Sequence, residues 1–183
     1  MTPPPPPENA SDNGTALVKT EVATLGIDQV TGAPVVVLRE KGGERILPIW
    51  IGHGEASAIA FEMAGVKASR PLTQDLLVSI IDGLRASLVR VQIPRVKKDT
   101  FYAAMVLRSE HGVSELDCRP SDGIAAALKA GSPIYVADRL LGHVMPELSP
   151  APSVLDEDEP GKRESLSEYI QRLSPEDLGR FDP

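Results

Sequence analysis

The stretch Pro34-Val-Val-Val-Leu-Arg-Glu-Lys-Gly-Gly-Glu-Arg-Ile-Leu-Pro-Ile-Trp-Ile51 carries the decisive signal for the fold class. Two apolar, β-branched runs flank Lys41-Gly-Gly-Glu44, whose glycines supply the positive φ that a tight reversal needs, so the segment reads as a β-hairpin. Upstream, Leu17 to Ala23 is a further strand, and the sheet starts as a meander. Downstream, Glu55 to Ala64 is rich in helix formers and closes at Gly65, a natural C-cap. Thr73 can cap a second helix, in which Leu76, Leu77, Ile80, Ile81 and Leu84 recur at helical spacing as one stripe expected to face the core. From Ser87 the period changes to two: Val89, Val91 and Ile93 alternate with Arg90 and Gln92. Strands at Phe101 to Arg108 and Val113 to Asp117 follow, with a turn at Glu110-His-Gly112. Pro120-Ser-Asp122 opens a third helix with Ile124, Ala125 and Leu128 inward, ending at Gly131, and Pro133 to Val136 is a short buried strand. The order βββαα then βββαβ, with hairpin-length connections, predicts an α+β fold: a mixed, mostly antiparallel sheet with helices packed on it.

Composition bounds the rest. The 183 residues hold 19 Lys+Arg against 26 Asp+Glu, a net charge of −7 that at face value argues against a uniformly basic nucleic-acid binder. Partition by segment changes that reading. Residues 1–16 carry −2 and residues 149–183 carry −5, so the stretch 17–148 is neutral. Residues 1–16, with five consecutive prolines, read as a disordered tail, and 149–163 as an acidic, proline-rich linker. Residues 164–183 read as a short helical extension, leaving 17–148 as the folded domain. One cysteine, Cys118, excludes a disulfide framework and fits a reducing compartment, so cytoplasmic localisation is the expectation. No run of 18 apolar residues and no signal-like N-terminus is present, hence no membrane association is expected.

Polar residues cluster at three boundaries where a strand or loop meets the first turn of a helix. They are Leu47-Pro-Ile-Trp-Ile-Gly-His-Gly-Glu55-Ala56, Ser69-Arg70-Pro-Leu-Thr73-Gln-Asp75-Leu-Leu77, and Leu116-Asp117-Cys-Arg119-Pro-Ser121-Asp122-Gly-Ile-Ala125. If the three starts converge, Glu55, Arg70, Asp75, Asp117, Arg119 and Asp122 share one cleft. That mixture suits phosphodiester chemistry: carboxylates to hold a divalent metal and activate water, guanidinium and helix N-terminal N–H groups to hold phosphate. The plain alternative is structural. A first-turn acid is stabilised by the helix dipole by a few tenths of a kcal/mol, about 0.3–1, and an Arg–Asp pair such as Arg119 with Asp122 or Asp117 serves equally as a surface ion pair. Of the three histidines, only His53 lies near the candidate cleft. Residues 85–108 carry a local +5, which suits either phosphate tracking or edge-strand protection.

Four ordered motifs carry a family likeness: Leu47-Pro-Ile-Trp-Ile-Gly52 with Glu55-Ala56; Arg70-Pro71 with Thr73, Asp75-Leu-Leu77; Thr100-Phe-Tyr-Ala103; and Asp117 with Arg119-Pro-Ser-Asp122 and Ile124-Ala125. Over about residues 17 to 141 the chain resembles the bifunctional nuclease (BFN) domain family. Ser165 to Phe181 looks like the short extension that follows many such domains. The resemblance implies a nuclease acting on DNA and RNA; a homo-oligomer is a further expectation. Glu55, Asp75 and Asp122 are the expected catalytic residues and ligands of Mg2+ or Mn2+, because an unactivated water is a poor nucleophile at neutral pH. Arg70 and Arg119 are expected to bind substrate, with Asp117 orienting Arg119 and Ser121 beside them. Gln74 stands where the family usually has His, and Gly123 where it usually has Ala. The alternative function is a non-catalytic module that binds nucleic acid or another anionic ligand in a regulatory role.

Overall fold

The computed structural model describes residues 16–65 and 68–150. Its elements run β1 (Leu17–Asp28), β2 (Pro34–Glu40), β3 (Ile46–Trp50), α1 (His53–Ala64), α2 (Thr73–Gly83), β4 (Ser87–Lys97), β5 (Thr100–Ser109), β6 (Gly112–Cys118), α3 (Pro120–Ala130), β7 (Ile134–Ala137) and β8 (Leu148–Pro150), with one 3-10 turn at Asp138–Leu140. The class is α+β, as the periodicities indicate. The strands make one sheet in the order β3-β2-β1-β7-β4-β5-β6, with β8 on the far end of β1. Every pairing is antiparallel except β4 with β7, where Val91 to Ile93 face Ile134 to Val136 in parallel.

That parallel pair explains the place of α3. The chain leaves β6 at one edge and must return to the middle of the sheet as β7, so α3 crosses over β4 and β5. A helix in that position is buried on almost every side, and its sequence is correspondingly small: Gly123, Ala125, Ala126 and Ala127 are all buried around Ile124. At Gly123 a Cβ would stand 2.8 Å from Val91 Cγ1 and 3.3 Å from Cys118 Sγ. The glycine therefore sets how closely α3 approaches the sheet, beyond its modest cost to helix propensity. α1 and α2 pack on either side of α3. Val36, Leu38, Leu47, Ile49, Ile59, Val91, Ile93 and Met105 close the core beneath them. A smaller cluster of Val35, Val37 and Ile46 on the other face of β2 is covered by Leu148.

Three expectations change. α2 presents only part of its apolar stripe to the core: Ile81 is buried and Leu77 packs against the core, whereas Leu76, Ile80 and Leu84 are 57%, 50% and 73% exposed. Helical period identifies an apolar face but not how much of it neighbours cover. β1 runs five residues beyond Ala23, to Asp28, and its last turn of strand receives β8, with Gly26, Ile27 and Asp28 opposite Pro150, Ser149 and Leu148. The ordered sheet thus includes Ser149 and Pro150, which composition alone assigns to the linker. The rest of that linker, the Pro-rich tail before Ala16 and the C-terminal extension lie outside the described residues.

The β4–β5 hairpin is longer than its neighbours. β7 accompanies β4 only to Ile93 and β6 accompanies β5 only from Ala103, so Pro94 to Tyr102 projects as a two-stranded arm. Its two-residue turn is Lys98-Asp99, both at positive φ (48° and 58°), the geometry whose twist matches antiparallel strands. Arg95 lies opposite Tyr102 and stacks on its ring at 4.7 Å from the centroid.

Candidate active site

Ile49 of β3 and Phe101 of β5 line one cleft although four strands lie between them in the sheet order. Laid flat, five strand spacings would separate them by about 24 Å, so the sheet curls until its two ends approach. The cleft has a volume of about 430 Å3 and is lined by the end of β3 (Ile49, Trp50, with Ile51), the start of α1 (Gly52, Glu55), the arm (Asp99, Thr100, Phe101) and the start of α3 (Arg119, Pro120, Ser121).

Its charged centre is a three-residue cluster. Arg119 is the N-cap of α3; its Nε and Nη2 donate to Asp122 Oδ2 and Oδ1 at 2.9 and 3.0 Å, and its Nη1 donates to Glu55 Oε1 at 2.6 Å. The bidentate Asp122 contact, with the Glu55 carboxylate behind it, holds the guanidinium still more firmly in its charged form. The side chain is nevertheless 65% exposed, so the cation is fixed in orientation yet open to a ligand. Glu55 owes its position to Gly52. A Cβ on that N-cap residue would lie 2.3 Å from Glu55 Oε2, so the carboxylate can fold back over the helix start only because nothing projects there.

Both helices begin at the cleft without a side-chain cap. In α1 the first helical hydrogen bond runs from the Ala56 N–H to the Gly52 carbonyl, and in α3 from the Gly123 N–H to the Arg119 carbonyl. The N–H groups of His53, Gly54 and Glu55, and those of Ser121 and Asp122, therefore have no partner within their helix. Two helix N-termini and one guanidinium offer donors to an anion such as phosphate, which would have to displace a carboxylate from Arg119 to bind it.

Of the expected site residues, Glu55, Arg119, Ser121 and Asp122 come together. Asp75 does not join them. Its Oδ2 accepts the Leu72 N–H at 2.7 Å, which caps α2, and its Oδ1 pairs with Lys129 at the far end of α3. Ten residues separate Lys129 from Arg119 along α3, about 15 Å of helix. The Lys129 ammonium, followed by the Leu72 N–H, holds the Asp75 carboxyl below its ordinary pKa, and Lys129 reaches Glu62 Oε1 of α1 at 3.5 Å. Lys129 of α3, paired with Asp75 of α2 and Glu62 of α1, thus ties all three helices together. Gln74 beside it is likewise absent from the cleft wall, so the departure from the family's usual His falls away from the Glu55–Arg119 cluster. Arg70 is exposed just ahead of α2 and does not line the cleft. Asp117 is exposed on β6, and Arg119 is oriented by Asp122 and Glu55 in its place.

Among the described residues, no group of three or more His, Cys, Asp or Glu is arranged to hold a metal ion. The three-carboxylate set of Glu55, Asp75 and Asp122 does not assemble. What the cleft offers is a pair, Glu55 and Asp122, brought to opposite sides of one guanidinium. Both are engaged by Arg119, Asp122 through both oxygens and Glu55 through Oε1, so a cation could be held by this pair only after Arg119 has left it. Burial, with Asp122 and Asp117 nearby, pushes the Cys118 thiol up to about 11, which disfavours the thiolate at neutral pH.

Trp50, Asp99, Thr100 and Phe101 line the cleft without being among the expected site residues, although Trp50, Thr100 and Phe101 fall within the quoted motifs. The signals were present in Trp50, which ends a hairpin strand directly ahead of the Gly52 helix start, and in the non-glycine Lys98-Asp99 turn that extends the arm. What a linear pattern lacks is the curl that brings β3 to β5.

Comparison with known proteins agrees with this architecture. The profile of the bifunctional nuclease domain matches residues 36–147, which include the whole cleft. The chain is also similar to an uncharacterized protein of Mycobacterium tuberculosis strain H37Rv, 42% identical over 165 residues that span 86% of this chain and 97% of that one. The counterpart in strain CDC 1551 / Oshkosh gives the same figures. With most of its folded part matched by the profile and a full-length relative at this identity, the chain belongs to the bifunctional nuclease domain family.

Proposed function

We propose that the chain is a nuclease that hydrolyses phosphodiester bonds of DNA and RNA in the cleft formed by α1, α3 and the arm. The single observation that carries this reading is the Glu55–Arg119–Asp122 cluster at two uncapped helix N-termini. Arg119 and the N–H groups of Ser121 and Asp122 would bind the non-bridging phosphate oxygens and stabilise the charge that builds on them as water attacks phosphorus. When phosphate takes the Arg119 Nη1, Glu55 Oε1 is released to accept the proton of the attacking water, and the ester P–O bond breaks with the leaving oxygen taking its proton from solvent. Asp122, bonded twice to Arg119, is a positioning residue. Asp75 has a structural role in this account.

A divalent cation remains part of the proposal in a narrower form. In the metal-assisted form Glu55 and Asp122 would hold Mg2+ or Mn2+ once Arg119 has left them for the phosphate, and the cation when bound would lower the pKa of water and screen phosphate charge. Purified protein incubated with plasmid and with RNA, in Mg2+ or Mn2+ and then in EDTA, tests the activity and its metal dependence together. Cleavage that persists undiminished in Glu55→Gln and Arg119→Ala would attribute it to a contaminant.

A second reading, a non-catalytic module for nucleic acid or another anionic ligand, is favoured by one observation: Arg119 is already satisfied by two carboxylates, a resting ion pair that a ligand's phosphate would displace. Binding without cleavage in every metal supports that reading. We infer also that the chain pairs with a second copy through α2. Leu76, Ile80 and Leu84 recur at i, i+4 and i+8 on its outer face, and a stripe of this kind is self-complementary across a two-fold axis. Cytoplasmic placement goes with these proposals, since nucleic acid is found there and its reducing conditions keep Cys118 a free thiol. Among the described residues no helix is long and apolar enough to cross a membrane.

A further inference from the structure

The face of the sheet turned away from the three helices holds a second recess, apart from the Glu55–Arg119 cleft. Strand alternation puts Ile46, Pro48 and Trp50 of β3 on that face, and with Leu140, Val144 and Pro146 of the segment that leads to β8 they line a groove of about 290 Å3. None of these side chains is charged. Trp50 also borders the cleft, but its indole is anchored on the helix-free face: its Nε1–H donates to Asp28 Oδ2 at 2.8 Å, while the N–H groups of Val30 and Thr31 fix the other Asp28 oxygen at 2.8 and 3.0 Å. With its polar edge satisfied, the ring is still 48% exposed, and Val144 is 84% exposed. Apolar surface left in water forgoes about 25 cal/mol per Å2. The groove also follows the free edge of the sheet. Ile46 exchanges both backbone bonds on that edge with Gly142, and two residues on, Pro48 has no N–H to offer. An edge blunted in this way does not template a further strand, whereas a polyproline segment makes no ladder and needs none.

We propose that this groove seats the proline run Pro3 to Pro7 of the same chain. Aromatic-lined apolar grooves are the surfaces that proline-rich segments dock in, and the pyrrolidine rings fix φ, so such a run loses little conformational entropy on docking. Length agrees. Ile46 to Trp50 is about 13 Å of strand, and five prolines at about 3.1 Å each make about 15 Å. Reach agrees as well. The described chain begins at Ala16, whose carbonyl accepts the Asp138 N–H at 2.9 Å, and Leu140, two residues after Asp138, is already groove wall. The eight residues Glu8 to Thr15 join that point to the prolines and extend to about 30 Å at most, more than the groove's length. Neither the run nor the groove lining carries charge, so salt should not weaken the contact. The other apolar stretch outside the described residues, Val154-Leu155, follows β8. Gly26 of β1 pairs with Val35 on one side and with Pro150 on the other, so β1 and β2 stand between β8 and the groove edge.

The test uses the full chain and reads the emission of Trp50, its only tryptophan. A proline-run variant carries Pro3→Ser, Pro4→Ser, Pro5→Ser, Pro6→Ser and Pro7→Ser, and changes no residue of the sheet or helices. The expected result is that its emission lies to the red of wild type and that acrylamide quenches it more steeply, at every protein concentration and at low and high salt alike. A peptide of residues 1–12 should reverse both changes saturably at millimolar concentration, the effective concentration that a short tether provides. The exposed wall residue gives an independent check: Val144→Asp should raise quenching as the proline-run variant does, and the two combined should raise it no further. Identical emission and quenching in wild type and the proline-run variant overturns the proposal, as does a peptide without effect or full additivity with Val144→Asp. Protection of Trp50 that grows with protein concentration gives the groove to the run of a second copy. Protection lost only with Val154→Ser and Leu155→Ser gives it to the segment after β8. Either of these results also contradicts the proposal.

Discussion

At the scale of single residues, two first-turn acids with the same sequence appearance take different roles, and their contacts separate them. Glu55 faces an open cleft across Arg119, whereas Asp75 is consumed by the Leu72 N–H and Lys129. Both follow a helix start by the same spacing, which is why Asp75 reads as a site residue from sequence: the partner that claims it lies 54 positions away. Gly52→Ala should separate stability from activity. Its Cβ displaces only the flexible end of Glu55, so thermal melting should stay near wild type while cleavage falls by about 100-fold, the scale of losing a positioned catalytic group. Unchanged cleavage would mean that Glu55 is not where the chemistry occurs. Asp75→Asn should lower the melting temperature at pH 7. Because the Lys129 ammonium and the Leu72 N–H hold the folded carboxyl below the ordinary carboxylate range, its contribution is present above that range and disappears as pH falls through the folded value. The melting temperatures of variant and wild type should therefore converge at the acid end, and a constant gap down to pH 2 would contradict the Asp75–Lys129 tie. Gly123→Ala, for which Val91 leaves no room, should cost about 1–3 kcal/mol by overpacking, offset by up to about 1 kcal/mol of helix propensity.

At the scale of elements, the hairpin from Pro34 to Trp50 was legible because Lys41-Gly-Gly-Glu44 leaves the chain few alternatives, and α3 because Pro120 and Gly131 bracket it. The insertion of β7 between β1 and β4 was not legible, since a four-residue apolar strand carries no information about which neighbours it will pair with. α2 marks the same limit: its five apolar residues share a period, but only neighbours decide which are covered. Ile81→Ala should lower unfolding free energy by about 2–5 kcal/mol. The double change Leu76→Gln and Ile80→Gln should leave the melting of the monomer within about 0.5 kcal/mol of wild type and abolish any dimer seen by light scattering. A dimer that survives it would exclude this face as the contact between copies.

At the scale of the whole molecule, the net charge of −7 belongs to the termini, and the domain that holds the cleft is neutral. Affinity for nucleic acid must then come from one local arrangement, the fixed Arg119 with two helix starts and the Lys97-Lys98 tip of the arm, made coherent by the curl of the sheet. The acidic run Asp156 to Glu159 follows β8 closely enough in sequence to compete for it. A chain ending at Pro150 should bind a single-stranded oligonucleotide more tightly at low salt, with the gain lost as salt rises, and equal affinity at all salt concentrations would retire that competition. The most direct measurement of the central claim is the rate of cleavage of a single-stranded oligonucleotide in Mg2+ or Mn2+ by wild type, Glu55→Gln, Arg119→Ala and Asp75→Asn, each verified as folded. The account predicts a loss of about 100-fold or more in the first two variants and near-wild-type cleavage in the third. Full activity in Glu55→Gln and Arg119→Ala, or an Asp75→Asn variant that is folded but inactive, would contradict it.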